Sequence, residues 1–356
     1  MEGTALVLCD GYFATINGKT AHGLVRGSQR YQILGVVDRP TAGRDAGEVV
    51  DGVARRIPVF ASLAEALRGL PARPDFAIVG VATSGGVFTP GLEAALLEAI
   101  EGGLSIVNGL HHLAADQPAL AEAARRRGVT ITDIRRPKKP EELHFWTGEA
   151  LKLRIPRVAV LGTDCALGKR TTTRMLSEAA RGAGLSSAWI YTGQTGWLQG
   201  APFGFVLDAT ANDFVSGELE HAVVSCARAL APQVIFLEGQ SALRNPSGPC
   251  GSELILSAGA RGVVLQHAPG RRCFDGLEEE GCAIPPVEEE IALIRLLGAR
   301  TLGIALNGEG LSADALRCER DRLEASLSIP VALPLEEGVE RLLPAIREFV
   351  AAETAR

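Results

Sequence analysis

Short apolar runs alternate along this chain with longer stretches whose apolar residues recur every three or four positions. In the first third, runs at residues 5–9, 33–38, 76–81, 105–108 and 130–133 each end in turn-forming residues. Between them, residues 62–68, 90–101 and 118–127 carry helical spacing. Strands that are apolar on both faces and alternate with helices predict a parallel sheet covered on both sides, a Rossmann-like domain over residues 1–137. Its strand ends lead into loops of possible use, DGYFATINGKTAHG, GVATSGG and NGLHHL, but no GxGxxG fingerprint is present and a dinucleotide is not indicated. The period then lapses: PKKPEELHFWTGEALKLRIP mixes charges with three prolines and predicts a linker at 138–155. A second alternation fills residues 156–356, with apolar runs at 158–161, 188–191, 234–237, 262–266, 301–307 and 330–333 and helical patterns that include 287–297 and 312–326. The fold class expected is α/β, a Rossmann-like N-terminal domain followed by a P-loop α/β domain with a mainly parallel sheet.

The P-loop assignment comes from RVAVLGTDCALGKRTTTRM. An apolar strand runs into Gly162, a short loop, then Gly168-Lys169 and a hydroxyl-rich helix start. Such a strand–loop–helix junction gathers backbone N–H groups and an ammonium around one point, which favours a phosphate. The candidate cofactor-binding residues are Gly162, Thr163, Asp164, Cys165, Gly168, Lys169, Arg170 and Thr171. The spacing departs from the common loop: five residues separate the glycines, and Arg170 stands where a magnesium-binding Ser or Thr belongs. Thr171 and Thr172 follow too late, because a helix turns about 100° per residue. The loop GTDxxxGK resembles that of dethiobiotin synthetase and its relatives, which follow the lysine with Thr.

Further polar segments end or follow strands of the same domain. A parallel sheet would bring them to the edge that carries the loop. Glu238 closes the apolar run VIFLE, where a carboxylate is costly unless it serves a ligand or partner. Asp213 precedes a helix and suits either an N-cap or the chemistry. His267 follows VVLQ and reads as a proton carrier or a satisfied core histidine. These three are the catalytic candidates. Gln194, Thr195, Gln240, Ser241, Asn245 and Arg271 are the substrate-binding candidates. For Gln194 and Thr195 a turn-shaping role stands beside the functional one, and Arg271, with Arg272, reads either as a solvated charge or as a carboxylate partner.

Composition narrows the classes. A net charge of −6 argues against a nucleic-acid surface, and no DNA or RNA module is visible. The start MEGTALVLCDG lacks a basic region, so no signal peptide is expected, and no apolar run reaches membrane-spanning length. Seven scattered cysteines without a CxxC pair fit reduced thiols of a cytoplasmic protein, with no disulfide framework and no metal site. A small-molecule substrate and a homo-oligomer are the partners expected.

As an ordered set, GTDCALGKRTTT, YTGQTGWL, the Asp213-Phe214 segment with VSGELE, LEGQSAL with Asn245-Pro246, and HAPGR resemble the P-loop domain of the D-glutamate N-acetyltransferase family. GKTAHGLVR, GVVDRPTAGRDAGEVV, IPVFASLAEAL and GLSIVNGLHHLAADQPALAEAARRRGVTITDIRRP are similar to its Rossmann-like domain, so the resemblance spans nearly the whole chain. It implies transfer of an acetyl group from acetyl-CoA to the amino group of an acidic amino acid, D-glutamate or a related amine. Glu238, Asp213 or His267, in that order, would act as base, loop N–H groups or a side chain such as Gln240 as oxyanion donors, and Arg271 and Arg272 as carboxylate ligands. Where that family usually reads EGQGSL followed by His-Pro, this chain has Ser241 and Asn245. Two other classes stand beside this one. One is an ATP-dependent ligase or kinase of the dethiobiotin synthetase type, with Asp164 and Glu238 holding Mg²⁺; the other is a non-catalytic nucleotide or CoA sensor.

Overall fold

The computed structural model describes residues 1–355 and forms two compact units. Unit 1 comprises Met1–Lys138 together with Gly193–Ala201; unit 2 comprises Lys139–Thr192 and the residues from Pro202 onward.

Unit 1 runs β1 (Gly3–Leu8), α1 (Lys19–Val25), β2 (Tyr31–Val37), α2 (Ala46–Asp51), β3 (Val59–Phe60), α3 (Leu63–Gly69), β4 (Phe76–Val79), α4 (Pro90–Glu101), β5 (Ser105–Asn108), α5 (Pro118–Arg127) and β6 (Ile131–Asp133). The strands form one parallel sheet in the order β3-β2-β1-β4-β5-β6, which is the doubly wound Rossmann order. Ala5, Leu6 and Val7 of β1 have no exposed surface, as expected of a central strand covered on both faces. Two elements escape the periodicity. β3 is two residues long, and α1 grows out of a loop that looks irregular because its first turn, Ile16–Gly18, is a 3₁₀ turn.

Unit 2 contains β7 (Arg157–Gly162), α6 (Lys169–Gly182), β8 (Ser187–Tyr191), β9 (Phe203–Gly204), α8 (Asn212–Leu230), β10 (Val234–Glu238), α9 (Ser252–Leu256), β11 (Gly262–His267), α10 (Val287–Leu296), β12 (Arg300–Leu306), α11 (Ala313–Leu327), β13 (Val331–Ala332) and α12 (Leu343–Thr354). The helix α7 (Gln194–Leu198), which lies between β8 and β9 in sequence, is the part of the chain assigned to unit 1. The sheet order is β13-β12-β11-β7-β10-β8-β9, and every pairing is parallel. β7, buried at all six residues, lies centrally between β11 and β10.

Both expected domain limits shift. Of the linker expected at 138–155, residues 139–155 group with unit 2 and bond to α8. The buried Glu218 carboxylate accepts the His144 N–H (2.9 Å), and Glu220 accepts N–H groups from Thr147 (2.6 Å) and Ala150 (3.1 Å). Carboxylates inside a helix supply the backbone partners that an irregular segment lacks, and local periodicity does not reveal such long-range bonds. Residues 193–201, read as part of the second domain, belong to unit 1. Leu198 enters the unit 1 core, and Gln199 Nε2 donates to the carbonyls of Gly23 (2.7 Å) and Gly27 (3.0 Å).

Candidate active site

The site is built at the carboxyl end of β7. Gly168 caps α6 with φ +102°, a left-handed conformation that disfavours any Cβ, and α6 makes its first helical bond from Thr172 N to Gly168 O (3.0 Å). The N–H groups ahead of that bond point along the helix axis toward the loop, as at any helix N-terminus. Lys169 is only 6 % exposed, and its Nζ donates to the Asp164 carbonyl at 2.6 Å, which folds the ammonium back over the loop. Its stem lies against Gly239, where a Cβ would sit 2.2 Å from the Val160 carbonyl, so only glycine lets β10 end this close to β7.

Asp164 is the hub of the loop. Its carboxylate is fully buried and accepts four donors: Cys165 N (2.6 Å) and Asn245 Nδ2 (3.1 Å) on Oδ1, Arg271 Nη1 (2.8 Å) and Asp275 N (2.8 Å) on Oδ2. Arg271 also donates to the Cys165 carbonyl (2.9 Å) and pairs with Glu309. The Asn245 Oδ1 in turn accepts Ser247 N (2.9 Å). Asp164, Asn245 and Arg271, expected at the cofactor or the substrate, are bonded to one another in the loop through the Asp164 carboxylate. The Cys165 thiol lies 3.5 Å from Ser241 Oγ, and Ser241 itself adopts φ +43°.

Glu238 ends β10 in register with Val160 of β7 and is 5 % exposed. Its Oε2 accepts the Thr192 N–H (3.0 Å), and its carbonyl accepts the Thr192 hydroxyl (2.9 Å). Gln240 Nε2 donates to the same hydroxyl (3.2 Å). Burial pushes the Glu238 carboxyl up to about 7, while the Arg170 charge, the Thr192 N–H and the Lys169 charge hold it from going further. The carboxyl therefore exchanges its proton near neutral pH.

His267 ends β11 on the other side of β7, with Nδ1 3.0 Å from Thr163 Oγ1. Burial pushes its imidazole down to about 4, so it is neutral at pH 7 and weakly basic. Asp213 is exposed in the first turn of α8; Ala211, not Asp213, is the N-cap. Gln194 and Thr195 belong to unit 1, where Thr195 Oγ1 donates to Thr20 Oγ1 (3.4 Å) and the Gln194 side chain packs on Gly109. Arg272 is exposed. The residues that sequence reasoning passed over are Thr192, which holds Glu238, and Gln266, whose Oε1 accepts the Thr172 hydroxyl (2.6 Å) and whose carbonyl accepts Thr163 N (3.0 Å). A polar residue inside the run VVLQH is the signal by which Gln266 could have been found.

A parallel sheet whose central strand opens through a glycine-bounded loop onto a buried lysine defines a P-loop domain, joined here to a Rossmann-like unit. Residues 144–343 match the family model described as "Domain of unknown function (DUF1611_C) P-loop domain", and residues 39–137 match its Rossmann-like N-terminal counterpart, DUF1611_N. The chain belongs to the DUF1611 family. A crystal structure of a DUF1611 family protein from Anabaena variabilis is 30% identical with a TM-score of 0.87, covering 97% of this chain and 99% of that one. Two relatives carry the name D-glutamate N-acetyltransferase. The one from Tritonibacter scottomollicae is 29% identical over 285 residues (76% of this chain, 80% of the relative), and the one from a Pseudoalteromonas species is 29% identical over 279 residues (75% and 79%). Among the described residues, no helix is long and apolar enough to cross a membrane.

Proposed function

We propose that this protein is an N-acetyltransferase that moves the acetyl group of acetyl-CoA to the amino group of an acidic amino acid, D-glutamate or a related amine. The observation that carries the reading is Glu238, a buried carboxyl that titrates at about 7 beside the phosphate loop, with Thr192 fixing one oxygen. The names of the two relatives support the same chemistry. The loop suits coenzyme A, whose phosphates take up the Lys169 ammonium and the α6 N-terminus.

An amine attacks a thioester only as the neutral base, and an amino acid at neutral pH carries an ammonium. Glu238 in its ionised form accepts that proton; the amine nitrogen then bonds to the acetyl carbon, the C–S bond breaks, and the CoA thiolate leaves and is protonated. A carboxyl near 7 matches this task better than His267 near 4, which is too weak a base, or Asp213, which lies exposed on α8. Gln240, whose amide donates to the Thr192 hydroxyl (3.2 Å), is the side-chain donor assigned to the developing oxyanion.

The test is CoA release from acetyl-CoA with a panel of D- and L-amino acids, run beside an assay for ATP consumption. Release driven by an acidic amino acid is expected. Turnover of ATP without CoA release would replace this reading with the ligase or kinase, and tight CoA binding without turnover by any amine would replace it with the sensor.

A further inference from the structure

P-loop enzymes that act on nucleotides share the phosphate charge with a magnesium ion, held by a hydroxyl directly after the loop lysine and by a carboxylate facing it. The residues of this loop do not fit that ion. The hydroxyl position is Arg170. The next three hydroxyls are engaged or displaced: Thr171 Oγ1 lies 3.3 Å from Arg170 Nη2, Thr172 donates to Gln266 Oε1 (2.6 Å), and Thr173 donates to the Lys169 carbonyl (2.7 Å). Both Asp164 oxygens are occupied by four donors, one of them the Arg271 guanidinium. Among the described residues, no three His, Cys, Asp or Glu side chains converge as metal ligands.

We propose that this loop is a metal-free diphosphate site, in which Arg170 supplies the positive charge that a divalent cation supplies elsewhere and the ligand enters as the bare polyanion. The inference rests on reading the loop as a phosphate site. Its physical basis is charge. Magnesium bound to a diphosphate cancels two negative charges and brings a hydrated cation toward Lys169 and Arg170, a like-charge approach for which no hydroxyl follows Lys169 directly and in which the facing carboxylate, Glu238, already has one oxygen bonded to Thr192 N–H and lies under the Arg170 and Lys169 charges. CoA suits such a site because its pyrophosphate is a diester that needs no metal for recognition. The arrangement also leaves Glu238 free of a metal and able to carry a proton.

Calorimetry on the full chain, with CoA and ADP as probes, in EDTA and again in excess magnesium, tests this without any assay of turnover. Each probe that binds is expected to bind in EDTA, and magnesium is expected to weaken ADP binding roughly three- to tenfold, equivalent to losing part of one charge contact. Arg170→Thr should lower affinity in EDTA about tenfold, whereas Arg170→Lys, which keeps the charge, should retain most of it. A melting temperature for each variant separates lost binding from lost fold. An ADP affinity that magnesium improves or leaves unchanged overturns the proposal, as does an Arg170→Thr variant that binds like wild type. If neither probe binds in either buffer, the phosphate-site reading itself fails and takes this inference with it.

Discussion

Each unit opens a helix with Gly-Lys after its first strand, and only one of the two builds a cradle. In unit 1 the tripeptide is Gly18-Lys19-Thr20, closer to the common P-loop spelling than the Gly168-Lys169-Arg170 of unit 2. Yet the unit 1 loop has consumed its own donors. The N–H groups of Tyr12, Thr15 and Gly18 bond to carbonyls of the same loop, Asn17 N bonds to Thr15 Oγ1 (3.2 Å), and Phe13 N bonds to the buried Asp38 (3.2 Å). A Cβ on Gly18 would meet the Phe13 carbonyl at 2.6 Å, so chain fills the space beside the glycine, and Lys19 is exposed. In unit 2 the lysine is buried, and the buried Asp164 carboxylate ties the loop to Arg271, Asn245 and Asp275. A phosphate loop is therefore defined by where its N–H groups and its lysine end up, and the tripeptide alone does not decide that.

The sharpest way to break this contrast is to remove the hub. Asp164→Ala leaves the nearly buried Arg271 with Glu309 as its remaining carboxylate, and a loss of about 3–5 kcal/mol is expected in denaturant unfolding of unit 2. A change under about 1 kcal/mol would show that the loop does not need the clasp.

Glu238 makes the next largest difference, and its sign depends on pH. A carboxyl raised from 4.5 to about 7 on folding adds stability that is complete below 4.5 and lost as pH rises through 7. Relative to Glu238→Gln, wild type should thus lose up to about 3 kcal/mol between pH 4.5 and 8, read as a widening gap in melting temperature. A gap that stays constant with pH would place the carboxyl near its ordinary value.

The two lysines compare the loops directly. Lys169→Ala should weaken CoA binding by about 1.5–3 kcal/mol, the range of a charge-assisted hydrogen bond, and Lys19→Ala by under about 0.5 kcal/mol. Equal losses in calorimetry would give unit 1 a phosphate site too. A small effect on stability is expected at Ser241, whose φ of +43° suits glycine. Ser241→Gly should stabilise unit 2 by roughly 0.5–1 kcal/mol, the relief of left-handed strain less the added freedom of the unfolded chain.

Elements with a strong period were legible in the sequence: β7, β10, β11 and the helices α3, α4, α5, α10 and α11 fall where apolar runs and helical spacing place them. The buried place of Glu238 at the end of β10 was also legible, since a carboxylate closing an apolar run stands out from its neighbours. What local pattern does not carry is the partner of a buried charge. Arg271 reads as a substrate ligand until Asp164 is found against it, and Asn245 reads as a specificity residue until its amide is seen bonded to the same carboxylate. Gln194 and Thr195 follow the same rule, because a helix of five residues shows no preference in sequence for one core over another.

The central claim, that Glu238 at the phosphate loop is the base of an acetyl transfer, is tested most directly by the pH dependence of kcat/KM for CoA release in wild type and in Glu238→Gln. Wild type should gain activity along a limb with an apparent pKa near 7, and the variant should lose that limb and about 10²–10⁴ in kcat while its Kd for CoA stays within about twofold. A Glu238→Gln enzyme that turns over at the wild-type rate with the limb intact would contradict the account.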